Sequence, residues 1–276
     1  MKLAAVVVLY NPTEENINNI NNYSDSVDKI YVVDNSEDEI IRLKNNKIVR
    51  YLKLSKNEGI AYALNLGAKN AIKDNFNYLL TLDQDTKMTS NTINKMKEFI
   101  VKHKEDKIGL VSPYQDIGSN ESVTPGVEEL IEVMTSGNII DLSAYQEIGG
   151  FKDWFFIDCV DTEYCMNLNC HGYKVLRLND LIIKHNLGEL KIHRLFGKDY
   201  YCYNHNPIRR YYIMRNNLYI NQLYGEIYPD YCSWLLRVQR GQIKRIIIFE
   251  RHKIKKLFMM FRGYLDYKKG IKNKLM

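Results

Sequence analysis

The sequence predicts an α/β protein: a Rossmann-like, mostly parallel sheet flanked by helices, with a basic helical extension at its C-terminal end. Three observations carry this expectation. Apolar runs of strand length alternate with helix-compatible stretches through the first part of the chain. The early runs stop at polar turns, as strands do in sheets that bind ligands at their carboxyl ends. Charge is also segregated. From Trp234 to Met276 thirteen Lys or Arg stand against Glu250 and Asp266, a local +11, so the total of +6 leaves −5 for residues 1–233.

In chain order, Leu3 to Tyr10 is an apolar run closed by Asn11-Pro12, and Lys29 to Val33 is closed by Asp34-Asn35-Ser36. Val49 to Leu54 reads as a short strand, and Tyr78 to Leu82 as a buried one that ends in Asp83-Gln84-Asp85. Glu14 to Tyr23, Ile60 to Lys73 and Ser90 to His103 read as the intervening helices. Residues 112–130, rich in Gly, Pro, Ser and Asn, read as a loop. A strand at Gly137–Ile140 follows, then a short helix at Ser143–Ile148 ended by Gly149-Gly150, a helix at Thr162–His171 closed by Gly172, and a strand from Val175. Beyond about residue 207 the chain is helical and basic, with Gly241 and Gly263 as expected breaks. Two domains are expected, residues 1–206 and 207–276.

Composition narrows the class. Hydrophobic residues at 45% and charged residues at 26% are ordinary for a globular chain. Five cysteines, an odd number without framework spacing, argue against a disulfide scaffold and fit a reduced compartment. Asn11-Pro12 interrupts the first apolar run too early for a signal peptide, and no run approaches the ~20 residues of a membrane span. A cytoplasmic setting is therefore expected.

The strongest local signal is Asp83-Gln84-Asp85. Two carboxylates two residues apart at a strand end can turn toward one hard cation, Mg²⁺ or Mn²⁺, which also accepts substrate phosphate oxygens. A solvated turn would have the same sequence. Asp34 can accept the imide N–H of a uracil or thymine ring, or simply cap its turn. Asn57-Glu58-Gly59 through Asn65 puts small residues at a helix start, which suits an anionic ligand or close helix–sheet packing. Asp158, Asp161 and Glu163 cluster at another helix entry, where capping and the helix dipole also favour carboxylates. Cys165, Cys170 and His171 lack the paired spacing of a zinc site, and the cysteines read as buried thiols.

Taken together and in order, Val7-Val8-Leu9-Tyr10-Asn11-Pro12, Val32-Val33-Asp34-Asn35-Ser36, Asn57-Glu58-Gly59 through Asn65, Leu82-Asp83-Gln84-Asp85, Ser136-Gly137-Asn138 and Phe156 through Cys165 resemble the family 2 glycosyltransferases of GT-A fold. The likeness spans roughly residues 3–190. Pro207 through Asn217, PIRRYYIMRNN, further resembles the bacterial rhamnosyltransferase branch of that family.

The resemblance implies an inverting transferase that uses a nucleotide-sugar donor, dTDP-L-rhamnose being favoured, to build O-antigen, capsule or cell-wall polysaccharide. It implies donor contacts from Tyr10, Asn11, Pro12, Asp34, Asn57, Gly59, Asn65, Asp83, Gln84 and Arg215. Asp83 and Asp85 would hold Mg²⁺ or Mn²⁺, with His185 as an imidazole ligand. Asp161 would be the general base, with Asp158 as the alternative, and Ser136, Gly137, Asn138 and Glu163 would face the acceptor. At Asn167 many relatives carry arginine, so that arginine's role is unfilled here.

Arg209, Arg210 and Arg215 with Tyr211 and Tyr212 suit a phosphate-lined site or a solvated helix face. The tail interleaves its cations with Trp234, Ile246 to Phe249 and Leu257 to Phe261, the pattern of a basic helix on an anionic leaflet rather than of a nucleic-acid tail. A lipid-linked glycan acceptor and a peripheral position at the inner face of the plasma membrane follow as expectations. The rivals are a UDP-sugar-dependent transferase of the same fold, a nucleotidyltransferase, a noncatalytic carbohydrate-binding protein and a two-carboxylate hydrolase. A nicotinamide enzyme is disfavoured because no G-x-G-x-x-G follows the first strand.

Overall fold

A computed structural model describes residues 1–39, 43, 47–118, 123–184, 191–195 and 197–275. The chain forms two compact units: Met1–Asp153 with Val160–Asn186, and Trp154–Cys159 with Leu187–Met276.

The first unit is built on one sheet of eight strands: β1 (Leu3–Leu9), β2 (Lys29–Asp34), β3 (Val49–Lys53), β4 (Tyr78–Asp83), β5 (Ile108–Asp116), β6 (Val127–Glu129), β7 (Asn138–Asp141) and β8 (Lys174–Lys184). Their order is β3-β2-β1-β4-β7-β5-β8-β6. All seven residues of β1 are buried, which explains an uninterrupted apolar run where a half-exposed strand would alternate. The β3-β2-β1-β4 half is wholly parallel, with α1 (Glu14–Asn19) between β1 and β2 and α2 (Ile60–Lys73) between β3 and β4. Beyond β4 the sheet is mixed: β7 runs antiparallel to β4 and β5, β8 parallel to β5, and β6 antiparallel to β8. The remaining helices are α3 (Ser90–Lys102), α4 (Leu142–Glu147) and α5 (Val160–Cys170). Thr13 and Asn16 form a capping box at the start of α1, and the side chains of Thr89 and Asp141 cap α3 and α4.

Among the described residues, four of the seven strand pairings of this sheet are parallel, as a mostly parallel sheet requires, and the antiparallel ones all lie beyond β4. One sequence expectation gives way here. Residues 112–130 are not one loop: Ser112–Asp116 finish β5, and Val127–Glu129 form the edge strand β6. The apolar Leu110-Val111 continues through Ser112 into Pro113, and β5 carries the proline although prolines are rare inside sheets.

The second unit contains a hairpin of β9 (Lys191–Leu195) and β10 (Lys198–Cys202), absent from the sequence reading, and three helices: α6 (Pro207–Tyr224), α7 (Pro229–Phe249) and α8 (Lys253–Lys268). Pro207 and Pro229 sit in the first turns of their helices, where a missing N–H costs nothing. Neither Gly241 nor Gly263 breaks a helix. The break is at His252, in the left-handed region at φ 53°. Gly263 instead allows close packing, since a Cβ there would lie 2.6 Å from the Tyr211 carbonyl oxygen on α6. No helix among the described residues is long and apolar enough to cross a membrane.

Candidate active site

The carboxyl edge of the parallel strands gathers the polar turns. Leu9 pairs with Asp34 and Val8 with Asp83, so the ends of β1, β2 and β4 lie side by side. Side chains tie these ends together. The Tyr10 N–H donates to Gln84 Oε1 (2.9 Å) and the Asn11 N–H to Ser36 Oγ (2.8 Å). The Glu58 N–H donates to Asn35 Oδ1 (3.0 Å), and the Gly59 N–H to Asn57 Oδ1 (2.9 Å). Gly59 has φ 88°, a conformation that costs a residue with a Cβ, and it starts α2 at this edge. Tyr10, Asn11, Asp34, Asn57, Gly59, Asp83 and Gln84 therefore belong to one ledge of the first unit, with Pro12 following Asn11.

Asp34 is fully buried. Its Oδ2 accepts from the Tyr51 hydroxyl (2.5 Å) and lies 3.8 Å from Lys53 Nζ, while Oδ1 accepts from the Ser36 N–H (2.8 Å). A nucleobase N–H at this carboxylate would join donors already in place. Asp83 ends β4 half-buried and Asp85 is exposed in the following turn. Ser136 holds that turn from below: its Oγ accepts from the Asp83 N–H (2.8 Å) and contacts Thr86 Oγ1 (2.5 Å). The donor set is two hard carboxylates on an open edge, which suits Mg²⁺ or Mn²⁺ sharing its shell with diphosphate oxygens. No group of three metal-ligating side chains converges among the described residues, and His185 lies outside them.

Asp161 stands in the first turn of α5, where its Oδ1 accepts from the Thr162 N–H (3.0 Å). It lines a cleft of about 320 Å³ in the first unit together with Ser112, Gln115, Glu132, Met134 and Arg177. The cleft is polar. Thr162 Oγ1 donates to Glu132 Oε2 (2.5 Å), Arg177 pairs with Glu128 (2.7 Å), and the buried Gln115 Oε1 has no hydrogen-bond partner among the described residues. Thr81, two residues before Asp83, shares a smaller cavity with Asp161.

Asp158 differs. It belongs to the second unit, at φ 62°, and its carboxylate takes a forked set of bonds from Arg209: Nε to Oδ1 and Oδ2 (3.0 and 3.1 Å), Nη2 to Oδ1 (2.9 Å). Burial raises its pKa above the usual carboxylate range, and the opposing pull of Arg209 and Arg210 does not cancel it. Of the two candidates for the base, Asp161 opens on a cleft and Asp158 is engaged by an arginine.

Several other expected site residues have other work. Asn65 is buried, with Nδ2 donating to Phe151 O (2.7 Å) and Asp153 Oδ1 (2.6 Å) and Oδ1 accepting from Tyr145 OH (2.6 Å) and the Phe151 N–H (3.0 Å). Those four bonds use both amide hydrogens and both carbonyl lone pairs of its side chain. Arg215, also buried, donates to the carbonyls of Trp154 (2.6 Å) and Asn273 (2.7 Å) within the second unit. Ser136, Asn138 and Glu163 are each only 1% exposed, so their side chains stand behind the site. Gly137 donates its N–H to the Thr81 carbonyl (2.7 Å). Asn167 donates to the Ile148 carbonyl (3.1 Å). The expectation of buried thiols on α5 holds for Cys165 and not for Cys170, which is exposed at the end of that helix.

Comparison with known proteins fits this geometry. Residues 5–149 match Glycosyl transferase family 2, more than half of the chain. The chain belongs to that family. A family relative, dTDP-rhamnosyl transferase RfbF of Shigella flexneri, is 27% identical over 231 residues, 77% of each chain. Among solved structures, Staphylococcus aureus TarS 1–349 in complex with UDP-GlcNAc superposes with a TM-score of 0.60 at 15% identity, covering 98% of this chain and 82% of that one. GalNAc-T7 with UDP, GalNAc and Mn²⁺ superposes at 0.61 and 13% identity, covering 98% and 57%. This family 2 glycosyltransferase thus has the GT-A fold, with its mixed α/β sheet between helices.

The sequence reading missed Gln115, Glu132, Thr162 and Arg177 as cleft residues. Gln115 and Glu132 offered no motif, and Thr162 lay in the Phe156 to Cys165 stretch between two acidic residues that carried its signal. Arg177 lay in a recognised strand, but nothing in the alternation of that strand told which cleft its face would line.

Proposed function

We propose that the chain transfers L-rhamnose from dTDP-L-rhamnose, with inversion, to a lipid-linked glycan during assembly of a cell-surface polysaccharide. The observation that carries the reading is Asp161, which lines a polar cleft of about 320 Å³ and shares a smaller cavity with Thr81 of β4, two residues before Asp83. The rhamnosyl assignment is supported by the relative named for that activity.

The donor lies along the ledge from Tyr10 to Pro12, with Asp34 facing the base and Asp83 facing the ribose and diphosphate. Asp83 and Asp85 would hold Mg²⁺ or Mn²⁺, which would supply positive charge to offset that of the departing diphosphate. GalNAc-T7, a neighbour of the same fold, is described with Mn²⁺. The acceptor sugar occupies the cleft, where Glu132, Gln115 and Arg177 offer hydrogen bonds to its hydroxyls. Asp161 takes the proton of the attacking hydroxyl, that oxygen bonds to the anomeric carbon from the face opposite the diphosphate, and the bond to the diphosphate breaks. Residues 1–206 supply the transferase domain, and residues 207–276 keep the enzyme peripheral at the cytoplasmic face of the plasma membrane.

Calorimetric titration with dTDP, UDP and GDP, each with and without Mn²⁺, tests the donor. Metal-dependent preference for dTDP is expected. Preference for UDP would replace rhamnose by a UDP-sugar, and no binding of any of the three would sink the transferase reading. Asp161→Asn should bind dTDP like the unmodified protein while transfer falls roughly 10²–10⁴-fold; unchanged turnover would remove Asp161 from the role.

A further inference from the structure

Helix α8 is held on one face and bare on the other. Lys256, Met260 and Gly263 are buried. Lys256 Nζ donates to Glu250 Oε2 (2.8 Å) and Asn204 Oδ1 (2.6 Å), and the Tyr211 hydroxyl donates to Asp266 Oδ2 (2.8 Å). With Gly263 against the Tyr211 carbonyl, these contacts fix the rotation of the helix about its axis. On the opposite face Ile254, Phe258, Phe261 and Leu265 are 85%, 63%, 59% and 36% exposed. Steps of four, three and four residues place them in one narrow stripe along the helix.

The usual burial of an amphipathic helix is therefore partly reversed: an apolar stripe faces out, while Lys256 faces in beside Met260. Lys253, Lys255, Arg262, Lys268 and Lys269 are exposed around the stripe, and Asp266, the one acidic residue of α8, is bonded to Tyr211 on the packed side. We propose that α8 is an in-plane membrane anchor. Its stripe enters the headgroup and acyl boundary of an anionic leaflet while the five cations meet lipid phosphates. Charge decides against a second copy of the chain as the occupant, since two such stripes face to face would bring ten cations together. The proposal builds on the reading that the acceptor is carried on a lipid, and it names the element and the chemistry that bring the enzyme there.

The test uses the full chain with sedimentable vesicles of phosphatidylcholine, with and without about one-third phosphatidylglycerol. Binding at least ~10-fold tighter to the anionic vesicles, weakening as salt rises, is expected. Phe258→Ser with Phe261→Ser, both at exposed positions, should keep the thermal midpoint and lose ~10-fold or more of vesicle binding. Lys253→Gln, Lys255→Gln and Arg262→Gln together should lose the preference for anionic lipid. Vesicle binding by the double serine variant equal to that of the unmodified protein would overturn the proposal. So would light scattering that shows a dimer dissociated by the serines with vesicle binding unchanged. A parallel titration with dTDP, UDP and GDP separates the two readings: nucleotide binding without vesicle binding overturns the anchor alone, and vesicle binding without binding of any of the three overturns the donor reading alone.

Discussion

The two units differ in where their charges meet water. In the first, Asp34 is buried beside Lys53, but the carboxylates Asp83, Asp85 and Asp161 stand at strand ends or a helix start, half-buried or exposed. In the second, Arg210, Arg215, Glu250 and Lys256 are buried while Ile254, Phe258 and Phe261 face outward. Glu250 receives Arg210 Nη2 at 2.6 Å on one oxygen and Lys256 Nζ at 2.8 Å on the other, so two cations share one buried anion. Charge kept in water at an edge is available to a ligand. Charge taken out of water must be paired, and the pairing then dictates how the helices sit.

That contrast can be broken experimentally. The largest effect is expected from Glu250→Gln, which leaves Arg210 and Lys256 buried without a counter-charge. Unfolding of the second unit in urea should show a loss of about 3–5 kcal/mol. A loss below about 1 kcal/mol would mean that water reaches the pair and that the buried-charge description of this unit is wrong. Next comes Gly263→Ala, which forces a methyl group toward the Tyr211 carbonyl and should cost about 1–3 kcal/mol in the same assay.

A smaller, pH-dependent effect should come from His205. Burial first, and then Arg209, Arg210 and Lys256, hold its pKa down to about 3, against 6.5 ordinarily. The folded state thus prefers the neutral ring. Its contribution is complete above pH 6.5 and is lost as pH falls from 6.5 toward 3, because the unfolded chain binds the proton first. The ring is partly exposed, so about 1 kcal/mol per pH unit is the upper range. Thermal midpoints at pH 7.5 and about 5 should fall further for the unmodified protein than for His205→Asn. Equal falls would show that the ring is not held neutral. The smallest effect is expected at the bare stripe: Ile254→Ser, at an 85% exposed position, should change stability by no more than about 0.5 kcal/mol. A larger loss would mean that something in the free protein covers the stripe.

Much of the first unit was legible because its signals are local. Leu3 to Leu9 is apolar because both faces of β1 are covered, and the Asp83-Gln84-Asp85 turn follows an equally buried run. The ledge of turns at the strand ends could be placed from order alone, since parallel strands put their carboxyl ends on one edge. The second unit was less legible. Gly263 looked like a helix break, and only the neighbouring α6 shows that it is a point of close approach. Arg215 had the residue type of a phosphate ligand, and its two carbonyl partners come from Trp154 and Asn273, far away in the chain.

By itself the sequence determined the alternation of strands and helices, the polar turns that end β1, β2 and β4, and the basic character of the last helices. Those follow from hydrophobic period, chain punctuation and charge, which act between residues close in the chain. Tertiary structure alone decided that β7 enters the sheet antiparallel, that Asp161 opens on a cleft while Asp158 is gripped by Arg209, and that α8 turns its apolar stripe outward. Each of these depends on which distant side chain fills a hydrogen bond or a contact, and residue type and local spacing do not specify that partner.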